Sequence, residues 1–442
     1  MVNDKKKEKK QEDIVSSSIS RLYSVSSLVG TVGLSILGNK TLDIFRNSES
    51  VEKHKIENLV NNAQRIAETL GRLKGGAMKV GQMLSLQDSL MPPEVAKILS
   101  LLQSQAPAVP FEKMKVLVKK DLKEKFSEIE WIDEEAYAAA SIGQIHKARL
   151  RDGREVALKI QYPDIDKVIK ADLKNLKGIF KSLIGLFMKV NFEPIWKELQ
   201  ARLLEELDYE REASSVEKVA TFFADSHEVV IPRVIKELST KHVLTMELLV
   251  GISGQDACSG AYGQELKNKW SKALFRFVFE SFFVHRFLHA DPNLANFAFL
   301  EDGRIIVYDF GCVKTIPEKL LPHLKDFTSS VLKSDVEALP PYLKKIGIYI
   351  YGGNEVSQEL VNDFFTPFEK MSTSGEYTFN ENKEIIQQMI KLKTKHFLEI
   401  SKFQFPRDIV FIDRTLAGHF GNLGKFNASG TFREMLLNII NK

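Results

Sequence analysis

The 442-residue sequence predicts an α+β fold with a small sheet-rich lobe, a larger helical lobe and a helical extension in front of both. Three observations support this prediction. Apolar residues recur three and four positions apart before about residue 125, which is the helical period. Two Asp-Gly pairs, Asp152-Gly153 and Asp302-Gly303, lie between apolar runs and predict tight β-hairpins. After Gly251 the pattern is mainly helical, so sheet and helix are segregated along the chain, as in α+β proteins.

The N-terminal part is predicted to be a polar tail with an amphipathic segment, residues 1–40, and then a helical extension, residues 41–125. In the first of these, Leu22–Asn39 is an uncharged run of 18 residues, interrupted by three glycines and five serine or threonine residues. Its apolar residues fall at helical spacing, which indicates an amphipathic helix on the protein or on a membrane rather than a spanning helix. No apolar signal-peptide core follows the charged opening residues. We therefore expect a cytoplasmic protein, with a peripheral membrane contact left open.

The sheet-rich lobe is assigned to residues 126–250 and the helical lobe to residues 251–442. In the helical lobe we expect a hairpin at Asn296–Phe310, and we expect Lys314–Pro317 to lead straight into a helix. In the sheet-rich lobe we expect the hairpin Ile145–Leu150 and Glu155–Ile160, the strands Val229–Glu237 and His242–Leu248, and helical stretches at 165–190 and 194–225.

The composition excludes several classes of protein. Hydrophobic residues make up 44% of the chain and charged residues 27%, which excludes a mainly disordered or collagenous chain. With 62 Lys and Arg against 58 Asp and Glu, the net charge is only +4, and we expect no nucleic-acid partner. The two cysteines, Cys258 and Cys312, predict neither a disulfide framework nor a structural zinc site, and they indicate a reducing compartment.

One constellation in the helical lobe indicates phosphoryl transfer. His289-Ala290-Asp291 is followed by Asn296 and then by Asp309-Phe310-Gly311, which is the order of the protein-kinase motifs. In this chemistry the first aspartate orients or deprotonates the attacking hydroxyl. The asparagine and the second aspartate supply hard oxygen ligands for Mg²⁺ on the nucleotide. We therefore predict Asp291 as a catalytic residue and Asn296 and Asp309 as metal ligands.

A second constellation lies in the sheet-rich lobe. Val156-Ala157-Leu158-Lys159 resembles the kinase strand whose lysine holds the α and β phosphates. The usual glycine-rich loop is absent, and alanines take its place just before the first hairpin strand. Alanine adds Cβ atoms and restricts φ, so we expect a stiffer loop that approaches phosphates less freely. The residues of this loop that we predict to bind nucleotide are Ala138, Ala139, Ala140, Ser141, Ile142, Gly143 and Gln144.

Together with Glu206-Leu-Asp208-Tyr-Glu-Arg-Glu212-Ala and with Lys79-Val-Gly-Gln82, these motifs resemble the UbiB/AarF/ADCK family of atypical kinases. The last of them matches the KxGQ signature of that family. The resemblance runs from about residue 60 to about residue 425. It implies a two-lobed protein-kinase-like fold in which a helical N-terminal extension lies over the cleft.

The resemblance also implies roles for individual residues. Lys159 is the phosphate-binding lysine and Glu212 is its partner from a helix, so both join Asp291 as predicted catalytic residues. Glu206 is expected near Lys79. The predicted nucleotide site further includes Lys79, Gln82, Lys159, Glu206, Met246 and Leu248.

The acidic residues of the second motif cannot all point into one pocket from a regular helix. Asp208 and Glu212 are four residues apart and share a face, whereas Glu206 and Asp208 are two apart and do not. Either the helix is broken near residue 208 or one acid makes another contact.

The catalytic loop departs from the family pattern, which is His-Ala-Asp-Pro-His-Pro-Gly-Asn. In this chain Asn293, Leu294 and Ala295 replace the second His, the second Pro and the Gly. Asp291 and Asn296 are retained, so metal binding should persist, while the shape of the loop is in question.

Three functions remain in competition. The first is a kinase or ATPase that uses ATP (or ADP) with Mg²⁺ and acts on, or is stimulated by, a lipid-like small molecule; the resemblance implies support of isoprenoid quinone biosynthesis. The second is a nucleotide-binding pseudokinase scaffold or lipid-handling module. The third is a true protein kinase, against which the chain offers no A-P-E motif and no recognisable activation segment after Asp309.

Overall fold

The structure is a computed structural model and describes residues 109–140, 142–171, 192–350, 355–373, 375–379 and 403–442, with a few isolated positions between them. The predictions for Leu22–Asn39, Lys79, Gln82 and Ser141 concern residues outside this set and stay predictions. Two compact units are present. Of the described residues, those up to Asp208 together with Thr240–Val243 form one unit, and those within Tyr209–Ser239 and Leu244–Lys442 form the other.

The first unit is built on an antiparallel sheet, and its hairpin turns at Asp152-Gly153 as predicted. Gly153 has a φ of 87°, a conformation that glycine adopts without steric cost. The long strands β3 and β4 of this hairpin pair in register from Gly143↔Gln161 to Arg149↔Glu155. The elements of the unit are α1 (Phe111–Leu122), a 3₁₀ turn (Lys123–Glu128), β1 (Ile129–Ile132), β2 (Ala138–Ala139), β3 (Gly143–Leu150), β4 (Glu155–Gln161), a helical segment at 165–171 and α2 (Phe192–Glu205).

The two faces of the β3–β4 hairpin have different surroundings. His146 and Leu158 are cross-strand partners on one face, where both are buried and where the Phe111 ring of α1 lies 5.2 Å from the His146 ring. Successive side chains of a strand point to opposite faces. Lys159 and Gln161 therefore occupy the face opposite α1.

The second unit is mainly helical and carries several short strands. The helices are α3 (Tyr209–Phe222), α4 (Gly254–Cys258), α5 (Gln264–Phe283), α6 (Leu321–Leu332), α7 (Leu339–Lys345), α8 (Gln358–Phe365), α9 (Glu369–Ser372), α10 (Arg407–Lys425) and α11 (Phe432–Ile440). The strands are β5 (Val229–Val230), β6 (Val243–Glu247; its first residue belongs to the first unit), β7 (Ile252–Ser253), β8 (Phe287–His289), β9 (Phe297–Phe299), β10 (Ile305–Val307), β11 (Val313–Thr315), β12 (Tyr349–Ile350), β13 (Tyr377–Thr378), β14 (Phe403–Gln404) and β15 (Ser429–Gly430). The sheets of the unit have the orders β5-β10-β9-β7, β8-β11, β12-β14 and β13-β15.

Helix α5 forms the centre of the second unit. Its Trp270 and Phe277 are fully buried, and the indole Nε1 of Trp270 donates a 2.7 Å hydrogen bond to the Leu300 carbonyl. This bond anchors the β9–β10 hairpin, which turns at Asp302-Gly303 as predicted, with Gly303 at a φ of 98°. The hairpin that leads to the second kinase motif is thus held by the core helix.

One strand prediction and one helix prediction are wrong in part. Of Val229–Glu237 only β5 is a strand, and it pairs in parallel with β10. Pro232 offers no N–H to a ladder, and Lys236–Leu238 forms a 3₁₀ turn, so a regular strand ends early. Lys314–Pro317 does not lead straight into a helix, because Lys314 and Thr315 belong to β11, which pairs with β8, and α6 begins only at Leu321.

The helix prediction for residues 194–225 also needs correction. The helix is interrupted, since α2 ends at Glu205 and α3 begins at Tyr209. This decides between the two readings of the acidic motif, because Glu206 and Asp208 lie in the interruption while Glu212 lies in α3. Among the residues that the structure describes, no helix combines the length and the apolar character needed to cross a membrane.

Candidate nucleotide and metal site

The catalytic-loop motif begins on strand β8 of the second unit. His289 is buried, and its Nε2 atom donates a 2.7 Å hydrogen bond to the backbone carbonyl of Asp309. Burial lowers the pKa of His289 because a charged imidazolium loses its hydration there. A second link follows immediately, since Ala290 N donates to Cys312 O at 2.9 Å. The segments that carry Asp291 and Asp309 are therefore joined.

The three residues that depart from the family pattern form an ordered turn. Asn293 Oδ1 accepts a hydrogen bond from Ala295 N at 3.1 Å, and Asn293 O accepts one from Asn296 N at 3.0 Å. Asp291 Oδ1 in turn accepts from Asn293 N at 3.2 Å. An asparagine side chain commonly closes such turns. Asn293 thus gives the loop a defined shape although the family residues are missing.

Asn296 and Asp309 are brought together by the β9–β10 hairpin. The backbone carbonyl of Asn296 accepts a 2.9 Å hydrogen bond from Tyr308 N, next to Asp309. The Asn296 side chain donates from Nδ2 to Asp291 O at 3.2 Å, which leaves the amide oxygen as its potential metal ligand. Asp309 Oδ1 accepts a 2.9 Å hydrogen bond from Gly311 N. The segments that carry Asp291, Asn296 and Asp309 are therefore neighbours in this unit.

Glu212 of α3 lies beside the same motif. A Cβ atom built on Gly311 would be 3.6 Å from Glu212 Oε2 and 3.3 Å from Asp309 Oδ1. The two carboxylates therefore flank Gly311, and Glu212 is buried.

Met246 and Leu248 lie at the end of β6, where Met246 is buried and Leu248 is half-buried. The following residue, Leu249, accepts a 2.9 Å hydrogen bond on its carbonyl from the Tyr308 hydroxyl. This contact brings the segment that contains Leu248 next to Asp309. The prediction of these two residues as nucleotide contacts is compatible with that location and stays a prediction.

In the first unit, the alanine-rich segment forms a tight hairpin rather than an open loop. Ala138 pairs with Ile145 and Ala139 with Gln144, and Ala140 N donates to Gly143 O at 2.9 Å. A Cβ atom on Gly143 would overlap the Ile160 carbonyl oxygen and lie 3.1 Å from Gln161 Cα. The close approach of β4 therefore requires glycine at position 143, independently of any role in nucleotide binding.

The side chain of Gln144, which the sequence predicts as a nucleotide ligand, makes hydrogen bonds within the protein. Its Oε1 accepts from Val109 N at 3.0 Å, and its Nε2 donates to Val109 O at 3.1 Å. Its Nε2 also lies 2.8 Å from His146 Nε2, while His146 Nδ1 lies 2.7 Å from Asp133 O. Burial lowers the pKa of His146, so the neutral ring donates from Nδ1 and accepts at Nε2. The amide of Gln144 thus ties the segment before α1 to the sheet.

Gln161 links the strand that carries Lys159 to the acidic motif, and the sequence predicted no role for this residue. Lys159 on β4 is only 7% exposed. Two residues later, Gln161 Nε2 donates to Leu207 O at 3.0 Å and to Lys241 O at 3.3 Å. Leu207 is the middle residue of the interruption between α2 and α3. Gln161 therefore holds Glu206 and Asp208 against the end of the strand that carries Lys159.

The donor set of the second unit suits Mg²⁺ better than a soft metal. Asn296 and Asp309 offer amide and carboxylate oxygens, the ligands that this ion prefers. Within the described ranges, no group of three or more His, Cys, Asp or Glu side chains could hold a metal ion. Mg²⁺ is typically bound by one or two carboxylates together with substrate phosphates. The residues present fit that mode, in which the nucleotide completes the metal site.

Comparison with known proteins identifies the family of the chain. The family model of the ABC1 atypical kinase-like domain matches residues 101–342, which is more than half of the chain. The chain belongs to the UbiB/AarF/ADCK family of atypical kinases. This atypical kinase is an enzyme with a kinase-like α+β fold, so the predicted family and fold class are confirmed.

Relatives match this atypical kinase over almost its whole length. It is 31% identical to the mitochondrial atypical kinase COQ8B of Rattus norvegicus over 444 residues, which cover 98% of this chain and 82% of the relative. It is also 31% identical to the mitochondrial atypical kinase coq-8 of Caenorhabditis elegans, covering 93% of this chain and 57% of that one. A solved complex of Rv3197 with erythromycin from Mycobacterium tuberculosis is similar at a TM-score of 0.62 and 25% identity, covering 88% of this chain and 97% of that chain.

Proposed function

We propose that this atypical kinase binds ATP or ADP with Mg²⁺ and acts on, or is stimulated by, a lipid-like small molecule in support of isoprenoid quinone biosynthesis. The observation that carries the proposal is the joining of Asp291, Asn296 and Asp309 through hydrogen bonds of the second unit. Phosphoryl transfer requires these motif residues to lie close together, and the hydrogen bonds hold the segments that carry them side by side.

In the proposed mechanism each residue has one task. Asp291 orients the attacking hydroxyl or water and accepts its proton. Lys159 holds the nucleotide phosphates, with Glu212 as its proposed partner. Asn296 and Asp309 supply oxygen ligands to Mg²⁺, which when bound neutralises the charge that develops on the transferred phosphoryl group.

The substrate class is argued from the segment after Asp309. In this chain β11 starts at Val313 and pairs with β8, and Ile316 N donates to Arg286 O at 2.8 Å. This stretch is bound into the second unit within a few residues of Gly311, which supports a small substrate over an extended peptide. Two further proposals also favour a small, lipid-like substrate. One is that the extension with Lys79 and Gln82 covers the nucleotide site, and the other is that Leu22–Asn39 contacts a membrane. The relatives' names place those proteins in mitochondria, and we propose a peripheral membrane location for this chain.

A nucleotide-binding scaffold is the second candidate, and one observation favours it. The Ala140 amide is bonded to Gly143 O inside the β2–β3 hairpin and is not presented to a phosphate as a glycine-rich loop would present it. Turnover separates the two functions. Release of ADP from Mg-ATP should be measurable with the intact chain and lost in Asp291→Asn, with nucleotide binding retained in both. Binding without any turnover in the unmodified chain would favour the scaffold.

A further inference from the structure

Helix α10 makes a set of contacts with the catalytic loop from far along the chain. It spans Arg407–Lys425 and lies beyond residues 101–342, the part that the family model matches. His419 Nε2 donates to His289 O at 3.1 Å, and Asn422 Nδ2 donates to Pro292 O at 2.6 Å. The two accepting carbonyls flank Asp291 in sequence. One helix therefore binds the backbone on both sides of the proposed catalytic residue.

The same helix face approaches the loop closely at a glycine. A Cβ atom on Gly418 would overlap Pro292 Cγ and lie 2.9 Å from Pro292 Cβ. A Cβ atom on Gly421, by contrast, would meet no heavy atom within 4 Å. The two glycines share one helix, yet only one of them faces the loop.

The N-terminal end of α10 binds the strand that follows Asp309. Lys314 Nζ of β11 lies 2.6 Å from Asp408 Oδ1 and 4.8 Å from the centre of the Phe411 ring. The Lys314 side chain is largely buried, so this ion pair is shielded from solvent and less weakened than an exposed one. The contacts of α10 thus extend from the strand after Asp309 to the loop that contains Asp291.

We propose that α10 is a brace, that is, a helix whose hydrogen bonds fix the position of the catalytic loop. His419 and Asn422 are then positioning residues for Asp291. The inference rests on the proposed role of Asp291. Asn293, Leu294 and Ala295 replace the family residues of this loop, and the helix supplies external hydrogen bonds to its backbone. A displacement of about 1 Å in a reacting group can lower a rate by about a hundredfold, so such bonds matter for turnover more than for binding.

His419 is suited to a permanent hydrogen bond. It is buried beside His289, with the two ring centres 6.1 Å apart. Burial, and to a smaller extent the neighbouring His289, lower its pKa to about 3, so the ring stays neutral across the physiological range. A neutral imidazole that donates from Nε2 keeps this donor at any pH well above 3.

The glycine pair gives a matched test. In the full-length chain, Gly418→Ala should push the loop away and lower kcat for ADP release from Mg-ATP about ten- to a hundredfold, with nucleotide Kd within about twofold. Gly421→Ala should leave both values within about twofold. Alanine is the better helix former at both sites, so loss of helix stability does not explain a difference.

A rescue experiment separates positioning from packing. His419→Gln retains a donor nitrogen near the Nε2 position and should keep most of kcat, whereas His419→Phe fills the space without a donor and should lower kcat at least tenfold. Equal kcat for Gly418→Ala and Gly421→Ala, or equal kcat for the two His419 variants, would overturn the brace.

Hydrogen exchange keeps this inference distinct from the proposed function. If the unmodified chain shows no turnover, the proposed function fails, and the brace is then decided on the amides of residues 289–296. Their exchange should be faster in Gly418→Ala and His419→Phe and unchanged in Gly421→Ala. Unchanged exchange in all three variants would overturn the brace whatever the activity.

Discussion

The imidazole of His289 donates a hydrogen bond of 2.7 Å to the backbone carbonyl of Asp309, 20 residues further along the chain. This bond joins the loop of the proposed catalytic aspartate to the proposed metal ligand. Because the ring is buried among Phe277, Phe297 and Phe310, water has little access to replace the bond. The two motifs that define a kinase site therefore form one structural unit.

The first prediction concerns Asp309. Asp309→Asn removes a full negative charge from the proposed Mg²⁺ site while keeping nearly the same volume. We expect at least a tenfold loss of Mg-nucleotide affinity, which corresponds to about 1.4 kcal/mol or more. Calorimetric titration measures it, and an unchanged affinity would refute Asp309 as a metal ligand.

The second prediction concerns the lysine of β4. A charge-assisted hydrogen bond contributes about 1.5–3 kcal/mol, so Lys159→Ala should weaken nucleotide binding about ten- to a hundredfold. Lys159→Met is the control for lost packing, since Lys159 is buried and Met fills more of its space. Glu212→Gln should also weaken binding. A large effect of Lys159→Ala with none from Glu212→Gln would show that the proposed ion pair is wrong.

The third prediction concerns Gln161, which holds the interruption between α2 and α3. Gln161→Leu removes the donor to Leu207 O and Lys241 O and should cost about 1–3 kcal/mol of stability, the usual penalty for unsatisfied buried groups. Amide exchange at residues 204–209 should accelerate. Gln144→Leu is the matched control on the other face of the hairpin, since it should accelerate exchange near Val109 and leave residues 204–209 unchanged. The reverse pattern would contradict this role.

The fourth prediction is a pH dependence of stability. The folded-state pKa of His419, about 3, lies well below the unfolded value of about 6.5, so on acidification the unfolded chain binds a proton that the folded chain does not. The histidine therefore destabilises the fold by about 1.4 kcal/mol per pH unit as the pH falls below about 6.5. His419→Gln should make the urea midpoint less sensitive to pH between pH 5 and 6.5. Identical pH dependence in variant and unmodified chain would contradict a buried neutral imidazole.

The elements with local signals were predictable from the sequence. Both hairpins turn at the predicted Asp-Gly pairs. Gly153 and Gly303 have φ angles of 87° and 98°, which glycine adopts without steric cost. Spacing indicated that Glu206 and Asp208 cannot share a face of one regular helix, but it left open whether the helix breaks near Asp208 or one acid makes another contact. The strand prediction for Val229–Glu237 was wrong in part. The apolar, β-branched residues of this segment favour a strand, but Pro232 has no N–H for strand pairing.

The parts of the site that depend on distant residues were not predictable. Gln161 and Leu207 are 46 residues apart, and His419 and His289 are 130 apart. No local pattern encodes such pairs. Gln161 follows the predicted strand Glu155–Ile160 by one residue, and its burial and its bond to Leu207 are known only from the structure. Asn422 lies within α10 and donates to Pro292 O, 130 residues away, which no local pattern of the helix indicates.

We propose that this atypical kinase turns over Mg-nucleotide in response to a small amphiphile rather than a protein substrate. The most direct measurement is ADP release from Mg-ATP by the intact chain, with and without a phenolic isoprenoid mimic and anionic vesicles, beside a generic protein substrate. We predict a basal rate that rises with the mimic or the vesicles, a vesicle response that falls when residues 1–40 are removed, and little phosphorylation of the protein. Efficient phosphorylation of the generic protein, or nucleotide binding without turnover under every condition, would contradict the claim.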